Sequence, residues 1–294
     1  MKTKKRKIIL LSCVIASVII GAVGSFFAFG GAGILNGDAV ATISNGVFDA
    51  TPADETPTRT ITLGSLTLSG TNTHITVNSS TAVVLYNCTI SGSSSHAIVV
   101  NGGTLSFGGG TTVSGCSGQC AVQVSGGTFN MDTGKIYNNS YGGVYVASGA
   151  TFNFSGGEIY GNTATNGGGV YSTGTVTMSG GIIHDNTATG YGGGICVGAD
   201  GSFEMTAGQI YHNSAQNGNE IGTRGTPNHQ VTVIITGGTI SPTAPSGNSM
   251  RADVDIYSPQ SNENSFDYIL SETLYIPSYN NSNIVSEENE KNIN

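Results

Sequence analysis

The chain has no tryptophan, and only 10% of its 294 residues are charged. Ordinary soluble domains carry about a quarter of their residues as Asp, Glu, Lys or Arg, so this composition is not that of a common helical enzyme. A disordered polyelectrolyte is excluded for the same reason. Cations are scarcest. Of ten Lys and Arg, five are Lys2, Lys4, Lys5, Arg6 and Lys7, whereas all eighteen acidic residues come later. The chain beyond its first seven residues is therefore strongly acidic, which repels phosphate backbones and polyanionic substrates and disfavours nucleic-acid binding.

Cysteine is sparse too. Beyond the N-terminal apolar segment there are only Cys88, Cys116, Cys120 and Cys196. A zinc site would need a second cysteine pair or a nearby His beside Cys116 and Cys120, and neither is present. Two readings of that pair stand: a disulfide closing Ser117-Gly118-Gln119 in an oxidising compartment, or two small loop residues. The Gly-Gly-x-Gly-x-Asp pattern of calcium-binding nonapeptides is missing. Gly192-Gly193-Gly194 does not sit at a strand-to-helix turn, so it is no phosphate loop. No metal and no cofactor is expected.

One long apolar run exists. Ile8 to Phe29 carries no charge and, at about 1.5 Å per residue, is long enough as a helix to cross a bilayer. It reads as a retained transmembrane anchor or as a secretory signal, with Ala39-Val40-Ala41 as a small-x-small cleavage pattern. Either way the basic start stays cytoplasmic and the body is exported.

Glycine is abundant, at 45 residues, and it is periodic. An apolar anchor position recurs at Leu68, Ile90, Val113, Ile136, Ile159, Ile183, Ile210 and Ile240, with spacings of 22, 23, 23, 23, 24, 27 and 30. Each unit holds three short strands separated by small-residue corners, as in Val144-Tyr145-Val146, Thr151-Phe152-Asn153-Phe154 and Glu158-Ile159-Tyr160. One such coil cannot bury its own apolar face, so coils must stack and pair with the next at about 4.8 Å. The expected fold is all-β: a right-handed parallel β-helix of about eight coils, preceded by an N-terminal hydrophobic helix. Leucine-rich repeats and propeller blades do not fit the pattern.

The domain plan follows from the period. Residues 1–29 are the signal or membrane segment, 30–59 a spacer and N-terminal cap, and 60–245 the β-helix. Residues 246–277 form a C-terminal cap, with strand-like alternation at 253–257 and 273–276, and 278–294 form a disordered acidic tail. Asn139, Asn162, Asn186 and Asn213 each follow an anchor by three positions, which predicts a structural ladder of stacked amides at one corner. Gly156-Gly157, Gly180-Gly181 and Gly237-Gly238 share one phase and suit corners that need positive φ or close backbone approach. The loops before each new coil vary in length, so insertions collect on one edge, which in solenoids is often the binding face.

Gly142-Gly143-Val144-Tyr145, Gly168-Gly169-Val170-Tyr171 and Gly193-Gly194-Ile195-Cys196, combined with Ile-x-x-Asn, resemble the repeats of chlamydial polymorphic outer-membrane proteins and of adhesin-like β-helix proteins of other bacteria. Those families pair a Gly-Gly-Ala-Ile-type motif with Phe-x-x-Asn. Here Ile replaces Phe, and the C-terminal barrel of autotransporters is missing. The resemblance implies a pectate-lyase-like fold and a surface or secreted role.

The same fold carries carbohydrate-active enzymes, so chemistry must be sought in the residues. Glycoside hydrolysis needs two facing carboxyl groups, yet Asp132, Glu158, Asp185, Asp200, Glu204 and Glu220 include no pair at one repeat position on adjacent coils. Lys135 and Arg224 are too few for a lyase acting on uronates. Asp185 and His212, with His184 alongside, form the best catalytic constellation, but without a nucleophile or second carboxylate they read as a surface hydrogen bond. No catalytic residue is assigned. Lys135 and Glu158 share a phase and read as a cross-strand ion pair. Tyr137, Tyr160, His184 and Tyr211 form an outward column one residue after the anchor, which reads as ladder stacking or as a platform for a glycan or protein ligand. The expectation is a non-catalytic, adhesin-like protein on the outer face of a bacterial membrane or secreted, binding an extracellular glycan or protein. A carbohydrate-active enzyme and a structural surface-layer component are the alternatives.

Overall fold

The structure, a computed structural model, describes residues 33–35, 39–44, 47–52, 59–225, 229, 231–241, 254–255 and 266–270. The apolar segment from Ile8 to Phe29, the strand expected at 273–276 and the tail from 278 lie outside these residues. Among the described residues no helix is long and apolar enough to cross a membrane.

Short strands alternate with corners because each unit offers only three or four alternating residues before a Gly, Asn or Ser interrupts them. The strands stack into three parallel sheets wound in a right-handed solenoid. The anchor sheet runs Thr67–Ser69, Thr89–Ser91, Thr112–Ser114, Lys135–Tyr137 and Glu158–Tyr160, then the last residues of Thr175–His184 and Ser202–Tyr211, then Thr239–Ser241. Its register pairs every anchor with the next, from Leu68↔Ile90 to Ile210↔Ile240. Eight anchors enclose seven turns, so the solenoid is one turn shorter than a count of anchors suggests. At about 4.8 Å per turn the ladder is roughly 34 Å long.

Alternation sends one side of every strand inward. The interior is an unbroken stack of side chains such as Phe107, Phe129 and Phe152, with ring centroids 4.9 Å apart at each step. Phe129, Phe152, Phe203 and all the Ile anchors from 90 to 210 are almost completely buried.

The paired glycines meet both demands at once. A Cβ on Gly156 would lie 2.2 Å from the Asp132 carbonyl oxygen, and Gly157 has φ +94°. The first glycine admits the neighbouring coil and the second makes the left-handed turn.

The ends carry more regular structure than the lost periodicity suggested. Ala39–Ser44 and Val47–Pro52 form an antiparallel hairpin whose second strand pairs in parallel with His74–Asn78, so the segment expected as spacer and N-terminal cap pairs onto the first coil. Beyond Pro242, parallel pairing continues through Val254–Asp255 and through Phe266–Leu270, where no strand was expected.

Candidate functional site

The corner two residues after each anchor explains several polar residues. Gly70, Gly92, Gly115, Asn138, Gly161, Asp185 and His212 occupy it, and all have φ between 53° and 123°. Asn, Asp and His are the side chains best tolerated in that left-handed region, because their short polar groups bond locally. The cluster of Asp185 and His212 thus has a backbone reason to exist. Asp185 Oδ2 is 2.7 Å from His184 Nδ1, and Asp185 Oδ1 is 3.9 Å from His212 Nδ1. The Asp185 side chain is 58% exposed, so solvent screens its interactions. Lys135 and Glu158 do pair, at 3.1 Å, and the contact raises the Lys135 ammonium pKa above its usual value.

One residue further on, the asparagines form a ladder. The backbone N–H and Nδ2 of Asn139 both donate to Asn162 Oδ1, at 3.1 and 2.8 Å. Asn162 repeats this onto Asn186 at 3.0 and 2.9 Å, and Asn186 onto Asn213 at 2.9 and 2.9 Å. Nδ2 of Asn162 also donates to the Ile136 carbonyl at 3.0 Å. All four side chains are buried, so each amide is satisfied within the wall.

Cys116 stands in the same column, one coil earlier: its N–H donates to Asn139 Oδ1 at 2.9 Å. Of the two readings of the Cys116 and Cys120 pair, the structure has the one without a bond. Cys116 is an inward corner residue, 0% exposed, whereas Cys120 turns toward His96, and both are free thiols. Burial pushes the Cys116 thiol up to about 11 and the Cys120 thiol up to about 12.

The outward column is a continuous stack. Tyr137 and Tyr160 lie 5.1 Å apart at 7°, Tyr160 and His184 5.0 Å at 9°, and His184 and Tyr211 5.2 Å at 13°. His212 closes the far end edge-on to Tyr211 at 84°. Each inner ring is covered on both faces, so no sugar can slide between them. What the column presents to solvent is ring edges and hydroxyls. At the two ends the register neighbours are small, Ser114 beside Tyr137 and Ser241 beside Tyr211, so a flat ligand face could meet the column only at an end ring.

A recess lies elsewhere, on the edge where loops vary. It has a volume of about 310 Å³ and is lined in part by His96, Gln119, Gln123, Tyr141, Tyr145 and Tyr171. Three coils contribute through one register: Gln123 pairs with Tyr145, and Tyr145 with Tyr171. Tyr145 and Tyr171 stack at 5.6 Å, and burial raises the pKa of the Tyr171 hydroxyl. Tyr141 stands on the loop at 59% exposure. His96 Nδ1 lies 3.3 Å from Cys120 Sγ and 2.9 Å from the Cys120 carbonyl, and desolvation lowers its pKa. Sequence reasoning placed Tyr145 and Tyr171 in a repeat motif without treating them as a surface. Their shared phase after Gly-Gly-Val was the available signal. Tyr141 and Gln119 fall in variable loops, where no period marks them.

Residues 73–238, more than half of the chain, match the family model described as right handed beta helix region, and the chain belongs to that family. No curated protein matches it, and no solved structure does.

Proposed function

We propose that the protein is a non-catalytic, adhesin-like β-helix displayed outside the cell, which holds a glycan or protein ligand on its loop edge. The observation that carries this reading is the recess at that edge, where aromatic rings and amides converge without a charged partner among the lining residues. Convergent polar groups around an aromatic floor are the ordinary makings of a binding site. The likeness of the Gly-Gly-Val-Tyr and Ile-x-x-Asn motifs to chlamydial and other adhesin-like repeats points the same way. The export reading of Ile8 to Phe29 accords with it.

Beside the Asp185, His184 and His212 cluster, the enzyme alternative has a second feature, the thiol of Cys120 beside the His96 ring. A nucleophilic cysteine needs a lowered pKa, and here burial drives it the other way, to about 12, while His96 is held neutral. These directions weigh against a thiolate for acyl transfer at this pair.

The test is to incubate the exported body with plant, host and microbial polysaccharides, mucins and cultured cells, following both adherence and the release of reducing ends or unsaturated products. Adherence without turnover is the expected result. Reproducible turnover that disappears in Asp185→Ala or Cys120→Ala would replace the adhesin reading with the enzyme one. Cell fractionation with N-terminal sequencing checks export and shows whether the leading segment is removed.

A further inference from the structure

We infer that the loop-edge recess binds a single uncharged pyranose, the terminal sugar of a glycan, with Tyr141 as the ring platform and Gln119 as a hydroxyl partner. This rests on the binding reading above and sharpens it.

The first argument is availability. Most aromatic surface on this solenoid is already used: the Tyr137 to Tyr211 column is stacked ring on ring, and Tyr145 is stacked on Tyr171. Tyr141 differs. It is 59% exposed and stacks on no other ring among the described residues. A pyranose carries an apolar C–H face that such a ring accepts and an edge of hydroxyls that both donate and accept. Gln119, exposed on the same margin, can meet a hydroxyl with its carbonyl and its amide together. Asn166, whose Oδ1 already accepts from the Tyr191 N–H at 3.1 Å, keeps the opposite wall in place.

Charge decides between sugar classes. No carboxylate, lysine or arginine lines the recess. The titratable groups in the lining are the His96 imidazole, whose pKa desolvation lowers, the Cys120 thiol, which burial pushes up to about 12, the Tyr171 hydroxyl, which burial also raises, and the Tyr141 and Tyr145 hydroxyls. Arg224 is engaged in a hydrogen bond with the Tyr171 hydroxyl. A uronate or sialate would bring a carboxylate with no partner waiting in the lining, which is unfavourable.

Size and backbone chemistry exclude other occupants. A volume of 310 Å³ sits at the low end of the ~300–1,000 Å³ range for small-molecule sites, which suits a terminal residue and not a length of chain. A peptide cannot join by adding a strand here, because the backbone is committed to neighbouring coils. Ala121 N–H donates to the Gly142 carbonyl at 3.0 Å, and Gly167 N–H to the Tyr191 carbonyl at 2.9 Å.

The experiment is saturation-transfer NMR on the exported body with methyl glycosides of glucose, galactose, mannose and N-acetylglucosamine, alongside glucuronate and N-acetylneuraminate. At least one neutral glycoside is expected to bind, with contacts on its ring C–H protons. Tyr141→Ala should weaken it by about tenfold, Gln119→Ala less, and Tyr160→Ala in the distant column should leave it unchanged. Circular dichroism on each variant checks that the solenoid is intact. Binding restricted to the acidic sugars, or neutral binding indifferent to Tyr141→Ala and Gln119→Ala, overturns this inference while leaving the adhesin reading in place. Adherence to proteins with no sugar bound does the same. Failure to adhere to any glycan, protein or cell sinks both.

Discussion

The carboxylate of Glu220 accepts hydrogen bonds from both the backbone N–H and the Nδ2 of Asn213, ending the asparagine ladder inside the protein. The next anchor, Ile240, is followed at the ladder position by Thr243, so no further Asn is present to continue the series. Glu220 precedes Ile221 as Gly194 precedes Ile195, and its side chain, 2% exposed, fills the place of the missing amide. Glu220→Ala strips the acceptor from the buried Asn213 N–H, at about 1–3 kcal/mol, whereas Asn213 Nδ2 keeps the Ile183 and Tyr211 carbonyls at 3.1 and 3.0 Å. Glu220→Gln keeps an acceptor oxygen and should lie between wild type and Ala. Thermal denaturation followed by circular dichroism gives the order, and an Ala variant as stable as wild type would contradict this role.

Within the ladder the loss is larger. Asn162→Ala removes the acceptor of both Asn139 donors and the donor to the Ile136 carbonyl and to Asn186 Oδ1. The expected destabilisation is ~2–6 kcal/mol, from two buried donors left unpaired. Asn162→Asp should not rescue it, because it restores the acceptor while losing the donor and burying a charge. Denaturant unfolding of the two variants distinguishes an amide requirement from one of side-chain volume.

The left-handed corner makes the opposite prediction for the most enzyme-like residues. Asp185 has φ 53° and His212 φ 56°. Asp185→Gly and His212→Gly should be as stable as wild type or more so, and Asp185→Val should lose about 1–2 kcal/mol. Melting temperatures check the order. A glycine variant much less stable than wild type would mean that the Asp185 contacts outweigh the backbone effect.

The buried thiols set an alkaline limit. Folded values of about 11 for Cys116 and about 12 for Cys120 and Cys196 lie above the ordinary 9.0. The folded state thus holds protons that the unfolded chain releases between those values, so stability is unaffected below about pH 9 and falls as pH rises toward 12. Melting curves from pH 7 to 11 follow the decline. In the same protein, iodoacetamide with residue-resolved mass spectrometry should label these cysteines slowly at pH 8 when folded and quickly in urea without reductant. Persistent silence of Cys116 and Cys120 in urea would reveal a bond between them.

Much of this was legible in the sequence, because a solenoid repeats its constraints. The phase of Leu68 through Ile240 defined the register, Ile-x-x-Asn defined the amide ladder, and the Lys135 and Glu158 pair followed from the same frame. What escaped were the places where the repeat is broken by substitution. For Cys116 and Cys120 sequence distance left two readings open, and the ladder phase of Cys116, whose N–H donates to Asn139 Oδ1, was not read. Glu220 looked like a stray acid, since a residue that replaces a glycine on one coil and an amide on the next leaves no periodic trace. The recess escaped for another reason. It is made where coils with unlike loops abut, and no single unit contains Gln119, Tyr141 and Tyr171 together.

A stack of equivalent coils has translational symmetry, so a molecule lying along its side meets the same surface at every step. On the anchor sheet the outward position is Ser69, Ser91 and Ser114, and then, without transition, Tyr137, Tyr160, His184 and Tyr211. At that change of side chain the repeating face acquires an origin, from which distances along the rod can be measured.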